Sequence, residues 1–235
     1  MPVYADNGRS SVCCFSRYKI RKPLEMQELK PFTTLGPARK ALDNGGRFYN
    51  FFDAANDEVV SRGELAKAAG VFTAGIQAFL FLEMAKQDLG EREQETILSL
   101  LDAKLRNEFL KKKPCQVAPP QVDREHKAGE AVIVTGYTRE IGTQSQFTGF
   151  IFVPILIGKV MVPMLIPINS LYRVIELFDS EKMDTPCAVV CAPLKKKLDL
   201  SGRIQFGGVL KELKSNTDNP PTHPVFLEAI FWMKR

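Results

Sequence analysis

Two patterns of apolar residues divide the chain into a helical half and a β half. In residues 91–112, Ile97, Leu101, Leu105 and Phe109 follow one another at steps of four. This spacing predicts one amphipathic helix with a single apolar stripe. Residues 76–85 are apolar on nearly every side of a helix, which predicts a buried helix at the core of the helical half.

After residue 130 the pattern changes to short runs of β-branched and aromatic residues, separated by glycine, proline, asparagine and aspartate. Such runs predict strands. They span residues 131–137, 147–157, 160–168, 173–178, 188–194, 202–210 and 224–233. Six or seven short strands predict a small antiparallel barrel or sandwich.

The most apolar stretch, residues 150–168, is nearly long enough for a membrane helix. Three prolines and the pair Gly158-Lys159 interrupt it. We therefore predict a hairpin of two buried strands, and any membrane contact would be peripheral.

The predicted fold class is α+β, with three or four helices before the β barrel or sandwich. Residues 1–37 form a basic extended arm, and residues 38–113 form the helical region. A proline-rich linker follows over 114–129, and the β domain covers 130–235.

The cysteine content indicates a reduced intracellular compartment. The five cysteines show no disulfide framework. Residues 1–23 hold five basic residues against the single acid Asp6, with serines between them. This composition is typical of organelle transit segments, so we predict a mitochondrial or other organellar location, or else the cytoplasm. The alternative is a mobile basic arm. The net charge of +5 permits nucleic acid or anionic lipid as a partner.

An acidic loop follows the aromatic residues Phe48, Phe51 and Phe52. Oxygens at loop positions 1, 5, 9 and 12 would come from the following candidate ligands: Asp53, Asp57, Ser61 and Glu64. The stretch from 48 to 85 resembles an EF-hand helix pair. The resemblance implies either a calcium site or a degenerate pair that binds no metal, since Ala55 and Glu58 stand where an oxygen ligand and a glycine are usual. No other cofactor is predicted.

The same region also fits the spacing of a helix-turn-helix, with Ala66 as the small residue and Gly70 in the turn. Its second helix offers only Thr73 and Gln77 to read bases. We therefore interpret this second helix as a core helix of the helical half.

The β half resembles the surfeit-locus family of cytochrome oxidase assembly factors. The similar segments are 132–137, 149–154, 160–163, 201–213, 219–220 and 224–229. This resemblance implies a β domain that serves the assembly of a larger complex.

The sequence holds no Walker, GxGxxG or HExxH motif, and neither His126 nor His223 lies beside an obvious nucleophile. We therefore predict a non-catalytic accessory or assembly subunit whose partners are other protein subunits. The first alternative is a nucleic-acid-binding protein that uses the barrel and its basic loops. Its candidate contacts are Lys195, Lys196, Lys197, Arg203, Lys211 and Lys214. The second alternative is a calcium-binding, EF-hand-like protein.

Overall fold

The computed structural model of the protein describes residues 26–45, 55–71, 75–157, 160–193, 199–212 and 225–235. Within these, only the backbone is described for residues 143–172 and 193. The predictions for residues 1–25 and for the aromatic segment 48–52 lie outside the described residues.

Five helices build the helical half in the described part of the chain. They are α1 Leu35–Leu42, α2 Arg62–Ala68, α3 Ile76–Ala85, α4 Glu91–Leu100 and α5 Ala103–Lys111. Fully buried side chains from all five, including Leu65, Phe79 and Ile97, form one apolar cluster. Phe79 meets Phe109 edge to face, with ring centres 5.5 Å apart, a favoured geometry for aromatic pairs.

The prediction of one helix over 91–112 is wrong in one respect, because the chain breaks between α4 and α5. Val60 donates to the Leu100 carbonyl at 2.7 Å, and Asp102 donates its backbone N–H to Val60 at 3.1 Å. The Asp102 side chain then caps α5 by accepting the Leu105 N–H at 2.9 Å. Apolar spacing is preserved across the break, so it could not reveal these competing hydrogen bonds.

In the described part of the chain the β half is a seven-stranded sheet that closes into a five-stranded barrel, which confirms the α+β fold class and the predicted barrel. The strands are β1 Gln27–Glu28, β2 Cys115–Val117, β3 Ala131–Ile157, β4 Val160–Phe178, β5 Ala188–Pro193, β6 Arg203–Glu212 and β7 Val225–Lys234. The barrel closes because β6 pairs with both β3 and β7, while β7 also pairs with β5.

The barrel is a Greek key. Strands β3, β4 and β5 are sequential antiparallel neighbours, and β6 returns to lie beside β3, which is the order that defines this motif. Alternate residues such as Val132, Ile175 and Phe206 point inward and are fully buried.

Two short strands from outside the predicted β domain extend this sheet. Strand β1, within the predicted arm 1–37, pairs with β7 in parallel. Strand β2 lies in the predicted linker 114–129 and pairs with β3. A 3₁₀ turn at Pro119–Gln121 and helix α6, Val122–Glu125, follow β2. Val117 and Val122 join the barrel core, so these segments pack with the β domain.

Helix α3 joins the two halves. Its Phe79 and Leu82 belong to the helical core, whereas its Leu80 and Met84 pack with Ile133 and Phe231 on the outer face of the barrel. An apolar cluster on each side explains why this helix is apolar all round.

Beyond the barrel, β3 and β4 continue as a two-stranded ribbon. We call residues 142–157 and 160–171 the β-arm. Within the arm the registers run from Ser145 opposite Leu171 to Ile157 opposite Val160, while residues 142–144 pair with residues 172–174 at the end of the barrel. In the described residues β6 pairs β3 only up to Tyr137, and β5 pairs β4 only from Tyr172. The predicted hairpin at 150–168 is thus confirmed in its pairing. No helix in the described segments is long and apolar enough to cross a bilayer.

The close approach of α3 to the barrel predicts that Gly207 tolerates no side chain. A Cβ at this position would overlap Met84 Sδ, and Met84 is fully buried. We expect Gly207→Ala to lower the free energy of unfolding by about 1–3 kcal/mol, as overpacking does, in urea denaturation. The control is Gly36→Ala in α1, where a Cβ meets nothing within 4 Å. Equal stability of the two variants would contradict this packing.

Candidate functional site

The structure uses three of the predicted calcium ligands, Asp57, Ser61 and Glu64, for backbone hydrogen bonds. Glu64 is buried, and its Oε1 accepts the Gly45 N–H at 2.6 Å while its Oε2 accepts the Ser61 N–H at 2.9 Å. Ser61 Oγ accepts the Glu64 N–H in return at 3.3 Å. Together they form a capping box at the start of α2.

The loop before α2 is held by a second acid, Asp43. Its two carboxylate oxygens accept the backbone N–H groups of Asp57 at 3.2 Å and Glu58 at 2.8 Å. Asp57 is exposed and accepts the Val59 N–H at 3.0 Å. Glu58 has φ of 65°, the left-handed conformation that favours the glycine usual at this loop position.

Asp57, Ser61 and Glu64 lie in one short segment of the chain, and Asp53 lies outside the described residues. No group of three or more histidine, cysteine, aspartate or glutamate residues in the described part of the chain is placed to hold a metal ion. Calcium binding therefore stays a prediction. The capping role of Glu64 had a sequence signal, the Ser61-x-x-Glu64 spacing, whereas the role of Asp43 had none.

The capping box predicts that Glu64 stabilises the fold without metal. Glu64→Gln replaces one carboxylate oxygen by an NH₂ group facing a backbone N–H. We expect a loss of about 2–3 kcal/mol in the free energy of unfolding, measured by urea denaturation with EDTA. Exposed Glu95→Gln is the matched control, with a change below about 0.5 kcal/mol. A loss seen only with calcium would contradict the capping role and indicate a metal ligand instead.

The predicted nucleic-acid contacts do not form one described patch. Lys195, Lys196, Lys197 and Lys214 lie outside the described residues. Arg203 and Lys211 stand at opposite ends of β6, eight residues or about 26 Å apart. Lys211 is paired with Glu228 at 2.6 Å.

Other barrel cations are also paired with carboxylates. The pairs are Arg139 with Glu176, Arg173 with Glu140, Lys234 with Asp199, and Arg235 with Asp88. The hydrogen bond from Lys234, followed by those from Ser201, lowers the pKa of Asp199 to about 2. These carboxylates reduce the positive potential available to a phosphate backbone.

Arg203 differs from these cations, because no ion pair links it to another described residue. It lines an open cleft of about 250 Å³ between β2 and β6. The cleft walls also include Gln116, Thr135 and Asp179. A guanidinium beside amide and hydroxyl groups can bind an anionic group, although Asp179 opposes it.

One buried charge pair lies at the end of α3. Glu83 and Lys86 are 4% and 3% exposed, and their charged atoms lie 3.2 Å apart. Lys86 also donates to Gln94 of α4 at 3.1 Å. The pair therefore links the end of α3 to α4 through Gln94. A buried charge requires such partners.

The cysteines in the described part of the chain are free thiols. Cys115 is exposed, while Cys187 and Cys191 are partly buried. Burial, with a smaller contribution from Glu228, raises the pKa of Cys191 to about 11. This thiol is thus neutral at pH 7 and unreactive. Cys13 and Cys14 lie outside the described residues.

The β-arm is the feature with the clearest need for a partner. Between Ile141 and Tyr172 the sequence has one charged residue, Lys159. Residues 150–157 and 160–168 contain no polar residue. In a ribbon of two strands, successive residues alternate between faces, so this composition places apolar residues on both faces. Isolated two-stranded ribbons are marginally stable in water. Sequence reasoning predicted the hairpin but not its extension beyond the barrel.

Comparison with protein-family models gave no match, and comparison with curated protein sequences gave no significant match.

Proposed function

We propose that this protein is a non-catalytic accessory subunit that assembles with other protein subunits through its β-arm. The observation that carries the proposal is the continuation of β3 and β4 as a ribbon that pairs only with itself in the described residues. Its apolar composition needs burial, because large exposed apolar surfaces mark interaction sites.

Two sequence features support an assembly role. The β half resembles the surfeit-locus assembly factors, and no catalytic motif occurs in the chain. The basic, acid-poor residues 1–23 support a mitochondrial or other organellar location.

The assembly experiment uses extracts of producing cells that have been fractionated by organelle. It compares the native size of the tagged full-length chain with that of a β-arm variant. We expect the unaltered chain to elute with an organellar complex much larger than a monomer. Phe152→Asp with Val153→Asp, which puts one charge on each face of the β-arm, should return it to monomer size.

The matched control places aspartate at Leu110, which is 54% exposed on α5. Leu110→Asp should leave the complex intact. A monomeric unaltered chain, or a complex that survives the arm substitutions, would contradict the proposal. A complex found only in the cytoplasm would overturn the location alone.

Nucleic-acid binding is a second candidate, favoured by the barrel itself. Five-stranded Greek-key barrels include the oligonucleotide-binding fold, and Arg203 lies exposed in a cleft of this barrel. With its cationic neighbours ion-paired, we expect few phosphate contacts and a shallow salt dependence.

Binding of a twelve-nucleotide oligothymidine at increasing salt tests this candidate. Arg203→Glu should weaken binding several-fold and reduce the salt slope by about 0.7, the value for one phosphate contact on a single strand. Lys104→Glu makes the same charge change at an exposed site on α5 and should have no effect. Phosphate contacts are strongest at low salt, so a failure of the unaltered chain to bind at about 50 mM salt would exclude nucleic-acid binding.

A further inference from the structure

The strand register of the β-arm shows how it can contact a partner, an inference that rests on the proposed assembly function. A ribbon can be recognised by its edges, through the addition of another strand, or by its faces. The positions of three prolines distinguish these two modes.

Pro154 stands directly opposite Pro163 in the register. Neither has an N–H, so the two cannot form a hydrogen-bonded pair. Because the pair types alternate, this assignment extends to every second position. Phe150 and Pro167 therefore also form a non-hydrogen-bonded pair. This assignment agrees with the missing N–H of Pro167, the third proline.

The backbone groups of these non-hydrogen-bonded residues point outward, along the free edges of the arm. On the β4 edge the outward positions are Met161, Pro163, Leu165 and Pro167. Two of these four have no N–H to donate. Proline at such positions is a recognised way to block strand addition. The arm is therefore a poor template for another strand.

A lipid bilayer would cover both apolar faces but would leave the edges unsatisfied. The four outward pairs between 150–156 and 161–167 place eight carbonyls and, after the three prolines, five N–H groups on the edges. Each costs several kcal/mol in hydrocarbon, where open sheet edges do not occur. A protein groove can supply side-chain or water partners at its mouth.

Outside its own β-arm, a second copy of this chain offers no matching groove in the residues whose side chains the structure describes. The large apolar side chains exposed there are Val59, Ile76, Leu110 and Ile141. They lie on different elements and are single exposures of the ordinary kind.

We infer that the β-arm docks by its two faces into a two-walled apolar groove of a different protein, and that this groove is open along both proline-bearing edges of the arm. The absence of charge on residues 150–157 and 160–168 requires groove walls that are apolar and uncharged, because an unpaired buried charge is costly.

Site-specific photocrosslinking in the full-length chain tests this mode. Benzoylphenylalanine replaces Phe152 or Val153, which lie on opposite faces, in cells that produce the protein. Ile141, at the arm's base and 53% exposed, is the control position. We expect positions 152 and 153 to crosslink to apolar segments of one and the same protein, and Ile141 not to reach those segments.

A second variant separates faces from edges. Pro163→Val with Pro167→Val restores both missing donors on the β4 edge. Face docking predicts that the adduct yield stays within about twofold, whereas strand addition predicts a gain of about tenfold or more, as expected from an added favourable contact of about 1.4 kcal/mol.

Three other results would overturn the inference. They are adducts from one face only, adducts between two copies in the purified protein, and flotation of the purified chain with phosphatidylcholine–phosphatidylglycerol vesicles. If the arm-dependent complex persists alongside any of these, only the docking mode fails. If the complex itself does not depend on the arm, the proposed function fails too.

Discussion

The packing of α3 against the outer face of the barrel is the contact on which the two halves depend. This helix has an apolar cluster on each side, and Gly207 of β6 removes the side chain that would otherwise hold it away. Close packing of this kind tolerates little change in volume. Arg235 at the end of the chain adds ion and hydrogen bonds to Asp88 and Gln87 just after α3.

Strands β3 and β4 belong to both the barrel and the β-arm, and their surroundings differ between the two. Within the barrel, β3 and β4 bury one face inside, where Val134 and Leu177 are fully buried. Beyond it, among the described residues, they pair only with each other, while their sequence becomes more apolar. The most apolar segment of the chain therefore lies where no third described strand pairs with β3 and β4. This mismatch is the physical basis of the proposed assembly role.

Acidic residues illustrate how one residue type serves different purposes. Glu64 and Asp43 accept backbone N–H groups that a loop and a helix start would otherwise leave unpaired. Glu176 and Glu228 instead neutralise cations on the outside of the barrel. A spacing of oxygens along the sequence resembles a metal loop, yet backbone donors compete for the same carboxylates.

The sequence by itself determined the fold class, most of the strand residues and the buried character of α3, because alternation and helical spacing follow directly from local geometry. The prediction of separate strands at 131–137 and 147–157, and at 160–168 and 173–178, is wrong, since each pair of runs belongs to one continuous strand, β3 or β4. The sequence also carried the capping box at Ser61 and Glu64 and the pairing of the hairpin at 150–168. Tertiary structure alone decided the break at Asp102, the entry of Val117 and Val122 into the barrel core, and the ion pair between Lys211 and Glu228. Each of these depends on which distant segment supplies a hydrogen-bond partner or an apolar neighbour. The periodicity of apolar residues along the chain does not identify such distant partners.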